Sequence, residues 1–281
     1  MHITDNIHAL KHFFHIEVSP KVKLTRFVYS YVVLSDEILL IDSGVNGCEE
    51  SIFKYIRSQG YSEEDIGYLV LSHAHPDHIG SAAKIKADTN CIVISHQADR
   101  NWIENIDQQF SDRPVPGFFT LVPEPVKVDK LISDEESIRL GENSSVRSIH
   151  TPGHSPGSVS LYFTENKALF TGDAIPLKGD IPNYDSYNQT LTSLEKLENL
   201  KNIEWLISSW INPISDKVSI DRLFDEGKAY LRALDKAVKK YYSTPKEATI
   251  EACKCVIDEL KLPPIYATQL SHKAFLSHFA D

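Results

Sequence analysis

Residues His73-Ala74-His75-Pro76-Asp77-His78 follow directly on the apolar run Tyr68-Leu69-Val70-Leu71. Three imidazoles and a carboxylate thus fall within six residues, at the end of a run that reads as a short strand. Neutral imidazole and carboxylate suit zinc, iron or manganese, and a strand that stops where the ligands begin gives them a rigid base. A lone histidine in a polar loop commonly does no more than hydrogen-bond to water. The density of His-x-His-x-Asp-His points instead to metal. Two further segments add ligand-type side chains: Ile149-His150-Thr151-Pro152-Gly153-His154-Ser155-Pro156-Gly157-Ser158 offers His154, and Leu169-Phe170-Thr171-Gly172-Asp173-Ala174 offers Asp173. Each follows a strand-like run and stands beside Gly or Pro residues that set a tight turn. Together the three segments read as one metal site assembled from three loops.

With Leu39-Leu40-Ile41-Asp42-Ser43-Gly44 ahead of the first helix, these motifs resemble, in order and interval, those of the metallo-β-lactamase superfamily. The likeness runs from about Phe27 to about Pro213. It implies a four-layer αββα sandwich, in the α/β (α+β) class, and a metal-dependent hydrolase. It further implies that His73, His75 and His154 bind a first metal, that Asp77 and His78 bind a second, and that Asp173 bridges the two. One departure stands out. The family's usual last ligand is a His in a Gly-His-Gly turn after a late strand, whereas here the stretch reads Trp205-Leu206-Ile207-Ser208-Ser209-Trp210-Ile211-Asn212-Pro213. Trp210 takes that place, and indole has no lone pair for a metal. The second ion is therefore expected to bind more weakly through Asp77, His78 and Asp173, to be exchanged for a different ion, or to be absent. Zinc is the first expectation for the metal, with iron or manganese as alternatives.

Composition frames this reading. The 281 residues are 42% apolar and 24% charged, ordinary values for a globular chain, and suffice for a core domain with an extension. The formal net charge of −10 argues against a nucleic-acid partner, which calls for clustered Lys and Arg. A bound cation offsets that charge locally, so an anionic small-molecule substrate stays compatible with it. Met1-His2-Ile3-Thr4-Asp5-Asn6 lacks a basic stretch followed by an apolar one, and no run approaches a membrane span, so a cytoplasmic protein without a membrane partner is expected. Cys48, Cys91, Cys253 and Cys255 show no Cys-x-x-Cys pairing and are expected to be reduced and buried.

Periodicity predicts strands near Phe13–Val18, Arg26–Leu34 and Glu37–Ile41, then a helix through Cys48, Ile52, Phe53 and Ile56 that Gly60 stops. A helix through Ala82, Ala83 and Ile85 follows the metal loop, with His78 at or near its first turn. Strands at Cys91–Ile94, Val126–Ile132, Ser137–Leu140, Val146–Ile149, Val159–Phe163 and Ala168–Phe170 and a helix at Ser193–Leu200 complete the alternation. Between Asn105 and Val126 a Pro- and aromatic-rich stretch reads as an irregular loop, with Phe118 and Phe119 as candidates to line an apolar substrate pocket. Beyond Pro213 the pattern turns helical: Tyr230, Leu231, Leu234, Val238 and Tyr241 form one stripe. Thr244-Pro245-Lys246-Glu247 has capping-box form, and Cys253, Val256, Ile257 and Leu260 form a second stripe. Residues 1–214 are thus expected to form the metallo-β-lactamase-like domain and 215–281 a helical extension, which in similar proteins covers the site or makes a homodimer contact.

The expected chemistry is hydrolysis of an ester-like bond, such as a thioester, a lactone or a related acyl bond, by water that the metal activates, with Asp77 orienting it and handling the proton. The nucleophile is expected to be that water and not a side chain. Tyr184 and Tyr187 are candidates to contact substrate. His272 and His278 are weighed as replacements for the missing ligand, His96 and His150 as outer partners of ligands, and Asp42 as an acceptor for a ligand's second N–H. A phosphodiesterase, a mononuclear iron sulfur dioxygenase and a non-catalytic regulatory member of the fold are the competing readings.

Overall fold

The computed structural model describes residues 1–19, 22–141, 144–242 and 249–280. The capping-box stretch Thr244–Glu247 lies outside them. A six-stranded sheet runs in the order β1 (Ile7–Ser19), β2 (Val22–Val33), β3 (Ile38–Ile41), β4 (Ile66–Val70), β5 (Ile92–His96) and β6 (Lys130–Ile132). The second sheet holds β7 (Ser137–Arg139), β8 (Ser145–His150), β9 (Val159–Phe163), β10 (Ala168–Phe170) and β11 (Trp205–Ile207), with β11 and β7 at its edges.

Period-two side-chain alternation, applied to strands buried on both faces, builds the layers. In β3, Ile38 and Leu40 face one hydrophobic cluster while Leu39 and Ile41 face another. Across the second sheet, Ala168, Phe170 and Ile207 point inward to the cluster shared with the first sheet, whereas Leu169 and Leu206 point outward. The result is three stacked apolar layers between two sheets and two sets of helices, an αββα sandwich. The first helical layer comprises α1 (Glu49–Ser58), α2 (Pro76–Ile79), α3 (Ala82–Thr89), α4 (Arg100–Glu104), α5 (Ile106–Asp112) and α6 (Phe118–Leu121). The other comprises α7 (Tyr187–Glu198), α8 (Lys217–Tyr241), α9 (Ile250–Glu259) and α10 (Gln269–Leu276). Helices α8 to α10 share one cluster with α7 and the outer face of the second sheet: Leu231, Leu234, Val256 and Phe275 pack with Leu194 and Leu169. Among the described residues no helix is long and apolar enough to cross a membrane.

The structure corrects several sequence expectations. The stretch 105–126 is not irregular: it carries α5 and α6, short helices whose few turns give periodicity too little length to register. The helix expected after the metal motif is split into α2 and α3 at Gly80, where a side chain has no room, because a Cβ there would lie 2.3 Å from Leu121 O. Strand β6 covers only the last residues of the expected Val126–Ile132. Helix α7 begins at Tyr187, with the Ser186 side chain accepting from Gln189 N as its cap. Cys48, Cys91 and Cys253 are buried as expected, but Cys255 is exposed on α9.

Strand β1 pairs with β2 along most of its length in a long hairpin, and the even-numbered residues His12, Phe14 and Ile16 face inward. His12 is buried against α1, its Nδ1 3.1 Å from Ser51 Oγ, and burial lowers its pKa from 6.5 to about 4. The folded state therefore holds it neutral while the unfolded chain protonates it near pH 6.5. Stability should be full above that pH, fall as pH drops, and level off below about 4 after a loss of roughly 3 kcal/mol. Urea unfolding of the wild type and His12→Gln at neutral pH and near pH 4.5 checks this. The variant should lose distinctly less stability on acidification, and equal losses would refute the assignment.

Candidate metal centre

The loops that carry the motif residues leave the same edge of the sandwich. Strand β4 feeds residues 71–75 into the first turn of α2, whose N-cap position is His75 and whose first residue is Pro76, fixed at the φ a helix start requires. The β8–β9 turn presents His154, β10 runs into Gly172-Asp173, and β11 runs into Ser208-Ser209-Trp210. Backbone bonds lock the loops together: Val159 N donates to Ser72 O at 2.9 Å, Ser209 N to Gly172 O at 3.3 Å and Tyr29 N to Ser209 O at 2.9 Å.

Four imidazoles converge there. Ring centroids of His73 lie 4.5, 4.0 and 4.8 Å from those of His75, His78 and His154. His154 Nε2 stands 2.8 Å from His75 Nδ1 and 3.3 Å from Asp173 Oδ2. His78 Nε2 stands 3.5 Å from Asp173 Oδ1 and 3.6 Å from Asp77 Oδ2. His73, His75 and His154 offer one ligand atom each within 4.8 Å of one another, and so do His73, His78 and Asp173. His73 Nε2, His78 Nε2 and Asp173 Oδ1 are buried without any hydrogen-bond partner. Buried polar atoms are rarely left unpaired, so a cluster of such atoms facing one another fits a cation.

The electrostatics agree. Burial lowers the pKa of His73, His75 and His154 and keeps them neutral, the form that ligates metal. At His78 burial works the same way, but Asp173, Asp77 and Asp42 outweigh it and hold its pKa well above the ordinary value. Burial also raises the pKa of Asp77, helped by Asp173; burial opposes the charge on Asp173 too, but His78 and His154 keep that carboxyl well below its usual range.

Two carboxylates behind the ligands set their orientation. Asp42 is fully buried, held at φ +56°, and accepts from Ser72 N at 2.7 Å and Ser72 Oγ at 2.8 Å. His78 Nδ1 lies 2.8 Å from Asp42 Oδ2 and so carries a proton, which turns Nε2 toward Asp173; the surrounding carboxylates favour a proton on Nε2 as well, and a cation bound there would take that proton's place. His73 Nδ1 lies 3.0 Å from Ser72 Oγ, which directs its own Nε2 to the same space. Asp99, which nothing in its local sequence marks, accepts from Ala74 N at 2.9 Å, Ser155 Oγ at 2.6 Å and Gly157 N at 2.7 Å. It ties the His73–His75 loop to the His154 loop. Gly157 belongs to that device, since a Cβ there would lie 2.6 Å from the Asp99 carboxyl carbon.

Trp210 occupies the remaining side of the cluster. Its Nε1 donates to Asp173 Oδ2 at 2.7 Å, and its ring lies under the Arg26 guanidinium, 4.5 Å from the centroid. A hydrogen-bond donor thus faces the cluster on this side.

Other sequence candidates fall elsewhere. Phe118 is buried among Phe110 and Phe119, and Phe119 points largely to solvent; neither lines the cleft beside the imidazoles, because the α6 turn folds them away from it. Tyr184 borders a small cavity of about 70 Å³ that also touches His154 and Asp173, but its hydroxyl is bonded to His278 Nε2 at 2.8 Å. Tyr187 stacks on His278 at 4.2 Å and borders neither that cavity nor the cleft. His278 is held by Tyr184 and Asp235, and His272 by the Tyr242 hydroxyl at 2.9 Å, so neither replaces the missing ligand. His96 and His150 stack on each other at 4.0 Å, and His150 Nε2 lies 3.0 Å from Pro156 O, so neither contacts a ligand imidazole.

Residues 25–202 match the metallo-β-lactamase superfamily. The chain belongs to that family. The probable metallo-hydrolase YqgX of Bacillus subtilis is 30% identical over 145 residues, 52% of this chain and 64% of that protein. The hydroxyacylglutathione hydrolase of Methylococcus capsulatus is 32% identical over 136 residues, 48% of this chain and 44% of its own length. The matched stretch thus spans less than two thirds of either relative. A metallo-β-lactamase family protein of Thermus thermophilus superposes on 93% of this chain and 91% of its own, with a TM-score of 0.68 at 20% identity. The class B3 di-zinc metallo-β-lactamase LRA-12 from an Alaskan soil metagenome covers 78% of this chain and 95% of its own, at 0.60 and 19%. At such identities these structures establish the fold.

Removing Asp99 strands the buried amides of Ala74 and Gly157 and takes one partner from Ser155 Oγ, which keeps Ser158 Oγ. Asp99→Ala should therefore cost about 3 kcal/mol of stability. It should also weaken zinc binding, measured by competition with a chromophoric chelator. A variant as stable and as tight as the wild type would show that the two loops are held by other means.

Proposed function

We propose that this protein is a metal-dependent hydrolase of ester-like acyl bonds, with thioesters and lactones as the leading substrate class. In this reading His73, His75 and His154 hold the primary ion, Asp173 borders it, and Asp77 and His78 with Asp173 offer a second, weaker position. The observation that carries the proposal is the set of buried, unpartnered nitrogen and oxygen atoms on His73, His78 and Asp173, aimed at one another. Zinc suits this donor set, and iron or manganese is compatible with it. The bond class is supported by the relatives named hydroxyacylglutathione hydrolase and by the apolar cleft beside the imidazoles, lined in part by Phe14, Leu24, Val115 and Leu270.

When bound, a divalent ion makes hydroxide available near neutral pH and polarises a carbonyl oxygen. The chain's own residues do the rest. Asp77 lines the floor of the cleft next to His75, with its carboxyl pKa raised by burial, so it is suited to orient the attacking water and to hold its proton before the leaving group takes it. Asp42 and Ser72 keep the imidazoles from rotating away. Trp210 draws on one oxygen of Asp173 through its N–H, which reduces what that carboxylate offers a second ion.

Loss of an outer partner alone costs metal sites roughly 10–100-fold in affinity. His75→Ala, which removes a ligand, should exceed that loss in zinc affinity and abolish turnover of thioester and lactone substrates while the circular dichroism spectrum stays native. Full zinc content and normal turnover in that variant would refute the proposal. Wild-type protein should retain one zinc tightly and a second only at higher free zinc. Trp210→His should tighten the second, whereas Trp210→Phe, which supplies no ligand, should not approach it. Equal stoichiometry and affinity in all three would exclude the role given to Trp210.

A further inference from the structure

A cleft of about 420 Å³ opens beside the imidazole cluster, within the ordinary size of a small-molecule site. Its walls come from three remote parts of the chain: Phe14, Ile16 and Leu24 of the β1–β2 hairpin, the Pro114–Pro116 turn, and Ile265 with Leu270 at the start of the last helices. Its floor carries His75 and Asp77, and two guanidinium groups lie there as well.

The two arginines differ. Arg26 is neutralised, with both terminal nitrogens donating to Asp180, at 3.1 and 3.0 Å, and its face on Trp210. Arg113 is only 4% exposed, and its Nη2 donates to Asn183 Oδ1. Among the described residues it makes no ion pair and no other side-chain hydrogen bond. Burial lowers its pKa, and Asp185, Asp77, Asp173 and Asp99 oppose that from a distance. A guanidinium has five N–H donors in a planar fork matched to carboxylate or phosphate oxygens. Its unused N–H groups are not sealed off by the protein, so they stay open to acceptors that a ligand in the cleft would supply.

We propose that the cleft takes an amphiphilic anion, its hydrocarbon arm lying between the hairpin, the Pro114–Pro116 turn and Leu270, and its carboxylate or phosphate group paired with Arg113. The proposal gives the hydrolase reading a substrate class, an acyl compound with an apolar arm and an anionic group near the scissile bond. It rests on that reading for the word substrate, while the binding it requires is measured without turnover.

The probes are octanoate, octyl phosphate and octanol, titrated calorimetrically into the zinc-loaded protein and again after chelation. A charge-assisted pair should favour one or both anions over octanol by about tenfold to a hundredfold. The stronger of the two anions identifies the group. In Arg113→Met that preference should collapse toward unity, and Arg113→Lys should restore part of it. Leu270→Glu, on the half-buried wall, should lower anion binding relative to octanol and serves if Arg113→Met does not fold. The proposal is overturned if the wild type binds octanol as well as the anions, if the preference survives Arg113→Met or Leu270→Glu, or if chelation abolishes it, since the head group would then reside on the metal. An inactive ester and thioester panel with the preference intact would count against hydrolysis and not against the anion site.

Discussion

The arrangement depends on an unfavourable act of burial: four imidazole rings are packed together at the end of a β-sandwich, and Nε2 of His73, His75 and His78 has no hydrogen-bond partner. Left alone, such a cluster costs stability, because each unpaired nitrogen has given up a water hydrogen bond without replacement. The fold tolerates it by surrounding the rings with carboxylates. Asp42 and Asp99 brace the loops, and Asp77 and Asp173 give the space between the rings a negative potential. A cation resolves both conditions at once, filling lone pairs and neutralising charge.

Rigidity comes from short connections to strand ends. Each ligand loop departs within a few residues of a central strand, and neighbouring loops are stitched by backbone bonds such as Val159 N to Ser72 O and Asp42 N to Val70 O. At two positions the backbone itself is constrained: Asp42 adopts φ +56°, and Gly153 adopts φ +134° where a Cβ would lie 2.4 Å from Thr190 N. These conformations aim His78's partner and His154 respectively, and a substitution at Gly153 would push the β8–β9 turn off helix α7.

Much of this was legible in the sequence because the chemistry is local there. The histidines and aspartate of the first loop fall within six residues, and the strand before them is a continuous apolar run, as sheets covered on both faces require. Asp42 and Trp210 could be placed because each follows a recognisable strand. Asp99 was not legible: its role arises from contacts with residues 25 and 56 positions away, and an isolated aspartate after a strand carries no such signal. Arg113 was hidden for the same reason, and the aromatic signal of that stretch comes from Phe118 and Phe119, side chains that the short helix α6 turns away from the cleft. Periodicity sees elements of several turns; it does not see four-residue helices or meetings of distant loops.

The indole of Trp210 also makes the site observable. It is one of three tryptophans in the chain, and its ring nitrogen donates to the Asp173 carboxylate within the imidazole cluster. Any event that changes the charge on that carboxylate alters the electric field across the indole and hence its emission. The indole is thus an intrinsic optical reporter built into the cluster, readable without label or substrate.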